Sequence, residues 1–171
     1  MQLRLSMRLL IVSLAAFIAT EATAEGFAAQ NLSTVATKVG SAIGKGFNHK
    51  VDPKRATFQC TDCKGSPIID FQIGRQNDGT EGRVRSGQTT ISQLEQLCQL
   101  RNPSCKLSKL EVSPAVGWIS NWTAGPVASS TAVILRDGDI LTIRSISSDA
   151  DMARDYAEKA AQAALRHIVG K

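Results

Sequence analysis

Two histidines and one tyrosine among 171 residues leave few of the side chains that usually move protons in catalysis. His49 and His167 lack metal-binding spacing to each other or to any carboxylate, and no Ser or Cys in a nucleophile motif accompanies them. Aromatic residues make up only 5% of the chain. No internal repeat, low-complexity stretch or second long apolar run is present, which excludes solenoids, disordered tails and a membrane span in the body of the protein. Gly40-x3-Gly44 and Gly79-x2-Gly82 do not follow a strand and open a helix, so neither is a phosphate loop. The basic excess is small and unclustered, 20 Lys and Arg against 15 Asp and Glu, so no nucleic-acid partner is expected.

The amino terminus has the pattern of a secretory leader. Arg4 and Arg8 precede Leu9–Ala19, an apolar run of 11 residues, and Ala22-Thr23-Ala24 offers a small-x-small cleavage site before Glu25. The run is too short to span a bilayer, which needs about 20 apolar residues. No cysteine near the cleavage point could accept a lipid. The expected division is a signal peptide over 1–24 and one globular domain over 25–171. Removing 24 residues, two of them Arg and one Glu, leaves 147 with 18 basic and 14 acidic groups. The expected location is the periplasm or the exterior.

Four cysteines occur as Cys60-x2-Cys63 and Cys98-x6-Cys105. An even number in an exported chain predicts two disulfides, and the two local pairings ask least of the fold. Two rival readings follow from the same residues. Cys60-Thr61-Asp62-Cys63 could perform thiol–disulfide exchange, but the turn-forming Lys64-Gly65-Ser66-Pro67 follows where a helix is wanted, and Asp62 disfavours a thiolate. Four thiolates could hold zinc, but the six-residue gap exceeds the usual spacing. No metal or cofactor is expected.

Hydrophobic periodicity predicts an α+β fold, a mainly antiparallel sheet covered by an N-terminal, a middle and a C-terminal helix. Leu32, Val35, Val39, Ile43 and Phe47 predict a helix over 27–47. Strands are expected over 56–61, 67–75, 106–112 and 115–123, and Glu81–Arg85 reads as the return arm of a hairpin after Asn77-Asp78-Gly79. Thr90 and Gln93 form a capping box that opens the middle helix. Asp137-Gly138 predicts a tight hairpin with Leu135 opposite Ile140, Ile134 opposite Leu141, Val133 opposite Thr142 and Ala132 opposite Ile143. Both faces of that hairpin carry apolar residues, so both should be at least partly covered. Ser148 reads as the cap of the last helix, whose stripe is Ala153, Ala157, Ala160, Ala164 and Ile168.

Two groups are candidate binding residues. Trp118 and Trp122, four apart in a strand, share one face and would form an aromatic platform if exposed, or core if buried. Arg75, Arg83 and Arg85 could converge on a hairpin face to grip a carboxylate or phosphate, against the plainer role of solvated charges that keep an edge from aggregating. Together these features describe a binding protein rather than an enzyme: an adaptor, inhibitor or envelope accessory factor whose partner is a protein or envelope component. Thiol–disulfide oxidoreduction at Cys60 and Cys63 is the alternative.

Overall fold

The computed structural model describes residues 26–170. The leader reading over 1–24 lies outside the described residues. A short 3-10 turn, Leu32–Thr34, leads into helix α1 (Ala36–Ile43), followed by strands β1 (Asn48–Asp52), β2 (Arg55–Gln59) and β3 (Ile68–Arg75). Helices α2 (Thr80–Arg85) and α3 (Ile91–Gln99) precede β4 (Lys106–Lys109), β5 (Val116–Ala124), β6 (Val127–Arg136) and β7 (Asp139–Ser147). Helix α4 (Ala150–Ala164) ends in a π-helical turn, Leu165–Val169. The strands form one seven-stranded sheet in the order β1-β2-β3-β7-β6-β5-β4, antiparallel throughout. The fold is α+β, as the sequence pattern predicts.

The β6–β7 hairpin holds the expected register at all four pairs. Asp137 and Gly138 both have positive φ, 53° and 80°, so the turn twists with its strands. On one face of the sheet Phe58, Ile69, Phe71, Leu141, Ile143, Ala132, Ile134 and Ile119 are buried with Val39 and Ile43 of α1 and the alanines of α4. Ala153, Ala157, Ala160, Ala161 and Ala164 are 0% exposed. With only a methyl group at each, α4 approaches the sheet closely and its backbone seals the core.

Three expectations need correction. The first helix spans only Ala36–Ile43; Phe27 lies in an extended lead-in, and Phe47 immediately precedes β1. Gly40, Gly44 and Gly46 weaken further helical turns, and Asn48–Asp52 gains a full ladder by pairing with β2 instead. Glu81–Arg85 is helical, not a hairpin arm. Strand β3 is already flanked by β2 and β7, so no edge is open to a return strand. Asp78 Oδ1 accepts from Thr80 N at 2.9 Å and starts a helix in its place. The cap of α4 is Asp149, which accepts from Met152 N at 3.1 Å, one residue beyond Ser148.

The middle helix α3 has the predicted capping box: Gln93 N donates to Thr90 Oγ1, and Thr90 N donates to Gln93 Oε1. It guards the outer edge of β4 rather than sinking into the core. Glu95 Oε2 accepts from the edge amide Leu107 N at 2.8 Å, and Gln99 Nε2 donates to Cys105 O at 3.1 Å. An unpaired edge is thereby closed to further strands.

The N-terminal lead-in is tied to the start of β7 by one carboxylate. Asp139, 1% exposed, accepts from Phe27 N at 2.7 Å, from Arg75 Nη1 at 2.6 Å and from Gln30 Nε2. A Cβ on Gly26 would fall 2.0 Å from Asp139 Oδ2, so only glycine fits there. Burial pushes the Asp139 carboxyl up, but the hydrogen bonds from Phe27, Arg75 and Gln30 and the Arg75 charge outweigh it and hold it below the ordinary carboxylate range. Its contribution to stability is therefore present above the unfolded carboxylate value, about 3.9, and is lost as pH falls through the lower folded value. Asp139→Asn is expected to lower stability by about 2–3 kcal/mol at neutral pH in urea denaturation. The variant should also show a shallower acid decline below about pH 4 than the parent protein.

Candidate functional site

Alternation along the strands sends a second set of residues to the sheet face away from α1 and α4. Three rows cross this outer face. The first runs from Trp118 through Val133, Thr142 and Gln72 to Arg55. The second runs from Ser120 through Thr131, Arg144 and Asp70 to Thr57, and the third from Trp122 through Ser129 and Ile146 to Ile68. Trp118 and Trp122 are both half-buried, neither core residues nor free aromatic flags. Ile119, between them on the opposite face, is 0% exposed. The tryptophans therefore lie against the sheet with part of each indole open to solvent.

Leu135 is fully buried on this same face, while Val133 and Ile140 are half-buried, so the outer side of the β6–β7 hairpin is partly covered. Helix α2 packs against β5 at that end, and Val84 and Val116 line a cleft of about 340 Å³ between α2, the start of α3 and the β4–β5 connection. Its apolar walls include Ile91, Leu110 and Val112.

The three arginines read as a possible grip do not share a hairpin face. Arg75 binds Asp139. Arg83 donates to Asp78 O and Thr80 Oγ1, both at 2.9 Å, within its own helix start. Arg85 donates to Glu81 Oε1 at 2.7 Å and to Pro114 O at 2.8 Å. Glu81 in turn accepts from Gly138 N at 3.0 Å. Burial pushes the Glu81 carboxyl up, but Arg85 and the backbone amides of Gly138 and Asp137 outweigh it and leave it below its usual value. Glu81 ties α2 to the β6–β7 turn, Arg85 ties it to the chain before β5, and Arg75 ties β3 to β7. The spacing of the three arginines in the sequence could not show that acids, a hydroxyl and carbonyls engage each of them separately.

The residues that do assemble outward are Arg55, Asp70, Gln72, Thr142 and Arg144, which line a cleft of about 250 Å³. Arg55 Nη2 lies 3.4 Å from Asp70 Oδ2, and Thr57 Oγ1 donates to Asp70 Oδ1 at 2.6 Å. Arg144 stands directly opposite Asp70 across the β3–β7 pair and is exposed. Among the described residues, no acidic group lies within ion-pair distance of Arg144. Strand alternation signals that Asp70 and Gln72 share a face, as do Thr142 and Arg144. Only the pairing of β3 with β7, some seventy residues apart, joins the two sets.

The four cysteines form Cys60–Cys63 and Cys98–Cys105, the two local pairs. With all four sulfurs paired, no thiolate is available for zinc. Cys60 is 3% exposed at the end of β2. The chain after it closes as a turn, with Ser66 N donating to Cys63 O at 2.9 Å, so the helix N-terminus that activates an exchanging thiol is not there. Gly46, at φ +87°, passes over this bridge; a Cβ on it would lie 3.2 Å from Cys60 Sγ. The second bridge joins the last turn of α3 to the entry of β4, with Cys105 fully buried. His49 leans on the Phe58 ring, centroids 5.5 Å apart, and takes no part in a polar cluster. Among the described residues, no three His, Cys, Asp or Glu side chains are grouped to hold a metal, and no helix is long and apolar enough to cross a membrane.

The chain matches no known protein-family model, and no curated protein gives a significant match to it.

Both bridges close short loops, which limits what each contributes. Replacing Cys98 and Cys105 together with Ala should lower stability by about 2.5 kcal/mol, and the Cys60, Cys63 pair by about 1.9 kcal/mol, in urea denaturation under oxidising conditions. The first replacement should also raise amide exchange at Leu107, whose edge α3 protects.

Proposed function

We propose that this is an exported, disulfide-bonded binding protein, periplasmic or secreted after loss of residues 1–24, acting as an adaptor, inhibitor or envelope accessory factor. Its partner is a protein or another envelope component, and its contact surface is the outer face of the sheet around Trp118 and Trp122. One observation carries this reading. The sheet buries the centre of one face under α1 and α4 while its other face keeps two tryptophans half-open beside hydroxyl, amide and guanidinium groups. Aromatic and arginine side chains supply most of the binding energy at recognition surfaces. Arg85 steadies α2 at the end of that surface through Pro114, while Arg75 and Arg83 are taken up by Asp139 and by the start of α2.

Export is supported by the leader pattern and by two disulfides, which persist in oxidising compartments. Intact-mass measurement of protein isolated from its native envelope fraction should give a chain beginning at Glu25 and lighter by four hydrogens than the reduced form. A retained leader or free thiols would overturn the assignment of compartment.

The contact surface is tested by affinity capture from the same envelope fraction. Trp118→Ala with Trp122→Ala should weaken capture of a specific partner at least about tenfold, a modest loss for two anchoring aromatics. Circular dichroism and melting temperature separate lost contact from lost fold. Capture unchanged in a folded double variant would remove this face from consideration.

A further inference from the structure

We propose that the cleft of Arg55, Asp70, Gln72, Thr142 and Arg144 is a binding site for an acidic sugar, a hydroxyl-rich ring bearing one carboxylate, presented as part of a glycan chain. The inference rests on the outer face being the contact surface and names the ligand that face would take.

Two guanidinium groups face one carboxylate, so the cleft keeps one net positive charge. That balance suits a monoanion such as a carboxylate. Arg144 is exposed and lacks an acidic partner among the described residues, so its planar fork is available for bidentate binding. Arg55 spends one nitrogen on Asp70, at 3.4 Å, and is itself exposed.

Asp70 then distinguishes the ligand from a simple anion. Its carboxylate accepts from Thr57 and Arg55, and an ionised carboxylate has room for further donors. A bare anion would be repelled by it, whereas a ring hydroxyl would donate to it. Gln72 and Thr142 flank Asp70 and Arg144 with an amide and a hydroxyl, which complement further ring oxygens. Arginine for the carboxylate and a carboxylate with amide and hydroxyl for the O–H groups together describe a uronic-acid type of ring.

One tryptophan lies further along a row that starts in the cleft. From Thr142 the first row passes Val133 to Trp118, two strand spacings or about 10 Å away. That distance separates neighbouring parts of one ligand, so a chain seated by its carboxylate would lay a following ring on the exposed part of the indole. Lys50, beyond Thr57 in the second row, is exposed and would meet the next charge of such a chain.

Oligogalacturonate serves as the probe, with neutral maltohexaose and poly-L-glutamate as controls, followed by titration calorimetry and tryptophan fluorescence on the oxidised protein. Oligogalacturonate should bind, alter tryptophan emission and weaken as salt rises, while maltohexaose should bind at least tenfold more weakly. Arg144→Ala should weaken binding by about ten- to a hundredfold and Arg144→Lys by less, since lysine keeps the charge but loses the fork. Asp70→Asn is the deciding variant. It raises the net charge of the cleft, so attraction by charge alone would tighten binding, whereas loss of a hydroxyl acceptor weakens it. Weaker binding in Asp70→Asn supports the site. Tighter binding there, equal affinity for poly-L-glutamate, or no binding of oligogalacturonate overturns it. If a captured envelope partner still depends on Trp118 and Trp122 but oligogalacturonate does not compete with it, the contact surface stands and the ligand class falls.

Discussion

A single buried carboxylate fastens the segment ahead of α1 to the start of β7. Asp139 opens β7 just after a two-residue turn, and its oxygens collect a backbone amide and a side-chain amide from the lead-in segment and a guanidinium from β3. Isolated, a charge at 1% exposure would be costly; surrounded by donors it becomes a junction. Phe27 is thereby delivered to the core, and Ala29 N reaches Ile168 O at 2.9 Å, so the lead-in segment closes the carboxyl-terminal end of α4. Glu81 repeats the device on the other side of the turn by holding Gly138 N, which seats α2. Two acids on either side of one hairpin turn thus place the helices at both ends.

The two faces of the sheet follow different physical rules. On the inner face, alanines of α4 and aliphatic or aromatic strand residues exclude water almost completely, and close packing leaves little freedom to change them. On the outer face, apolar and polar residues are mixed along rows, from buried Leu135 and Ser129 through the half-exposed tryptophans to exposed Arg55 and Arg144. A polar row there costs little in desolvation, so Arg144 keeps its charge free of an internal partner. The disulfides belong to neither face. One bridge fastens the chain leaving β2, and the other fastens α3 to the strand whose edge it guards.

Much of the local structure was legible because it depends on neighbours in sequence. Asp137-Gly138 specified the hairpin and its register, Thr90 and Gln93 specified the start of α3, and the alanine stripe specified the face of α4. The misreadings share one cause. Glu81–Arg85 resembles a strand as well as a helix over so short a span, and the choice was made by β3, whose two edges were already taken by β2 and β7. Phe47 fits a helical stripe by spacing, yet the residues just after it gain more from pairing with β2 than from extending a glycine-rich helix. The three arginines take separate partners: Asp139 of β7 for Arg75, Asp78 and Thr80 for Arg83, and Glu81 of the same helix with Pro114 for Arg85.

The sequence by itself determined the periodic elements and the presence of two tryptophans on one strand face, because each depends on spacing of a few residues; which cysteines pair was decided by the folded chain. Tertiary structure alone decided which charges were spent and which remained free. Arg75 was committed to Asp139, 64 residues away along the chain, while Arg144 was set beside Asp70 and Gln72 by a strand pairing across some seventy residues. Hydrogen-bond partners are settled by ladder order and by burial, and neither quantity is defined until the distant strands have come together.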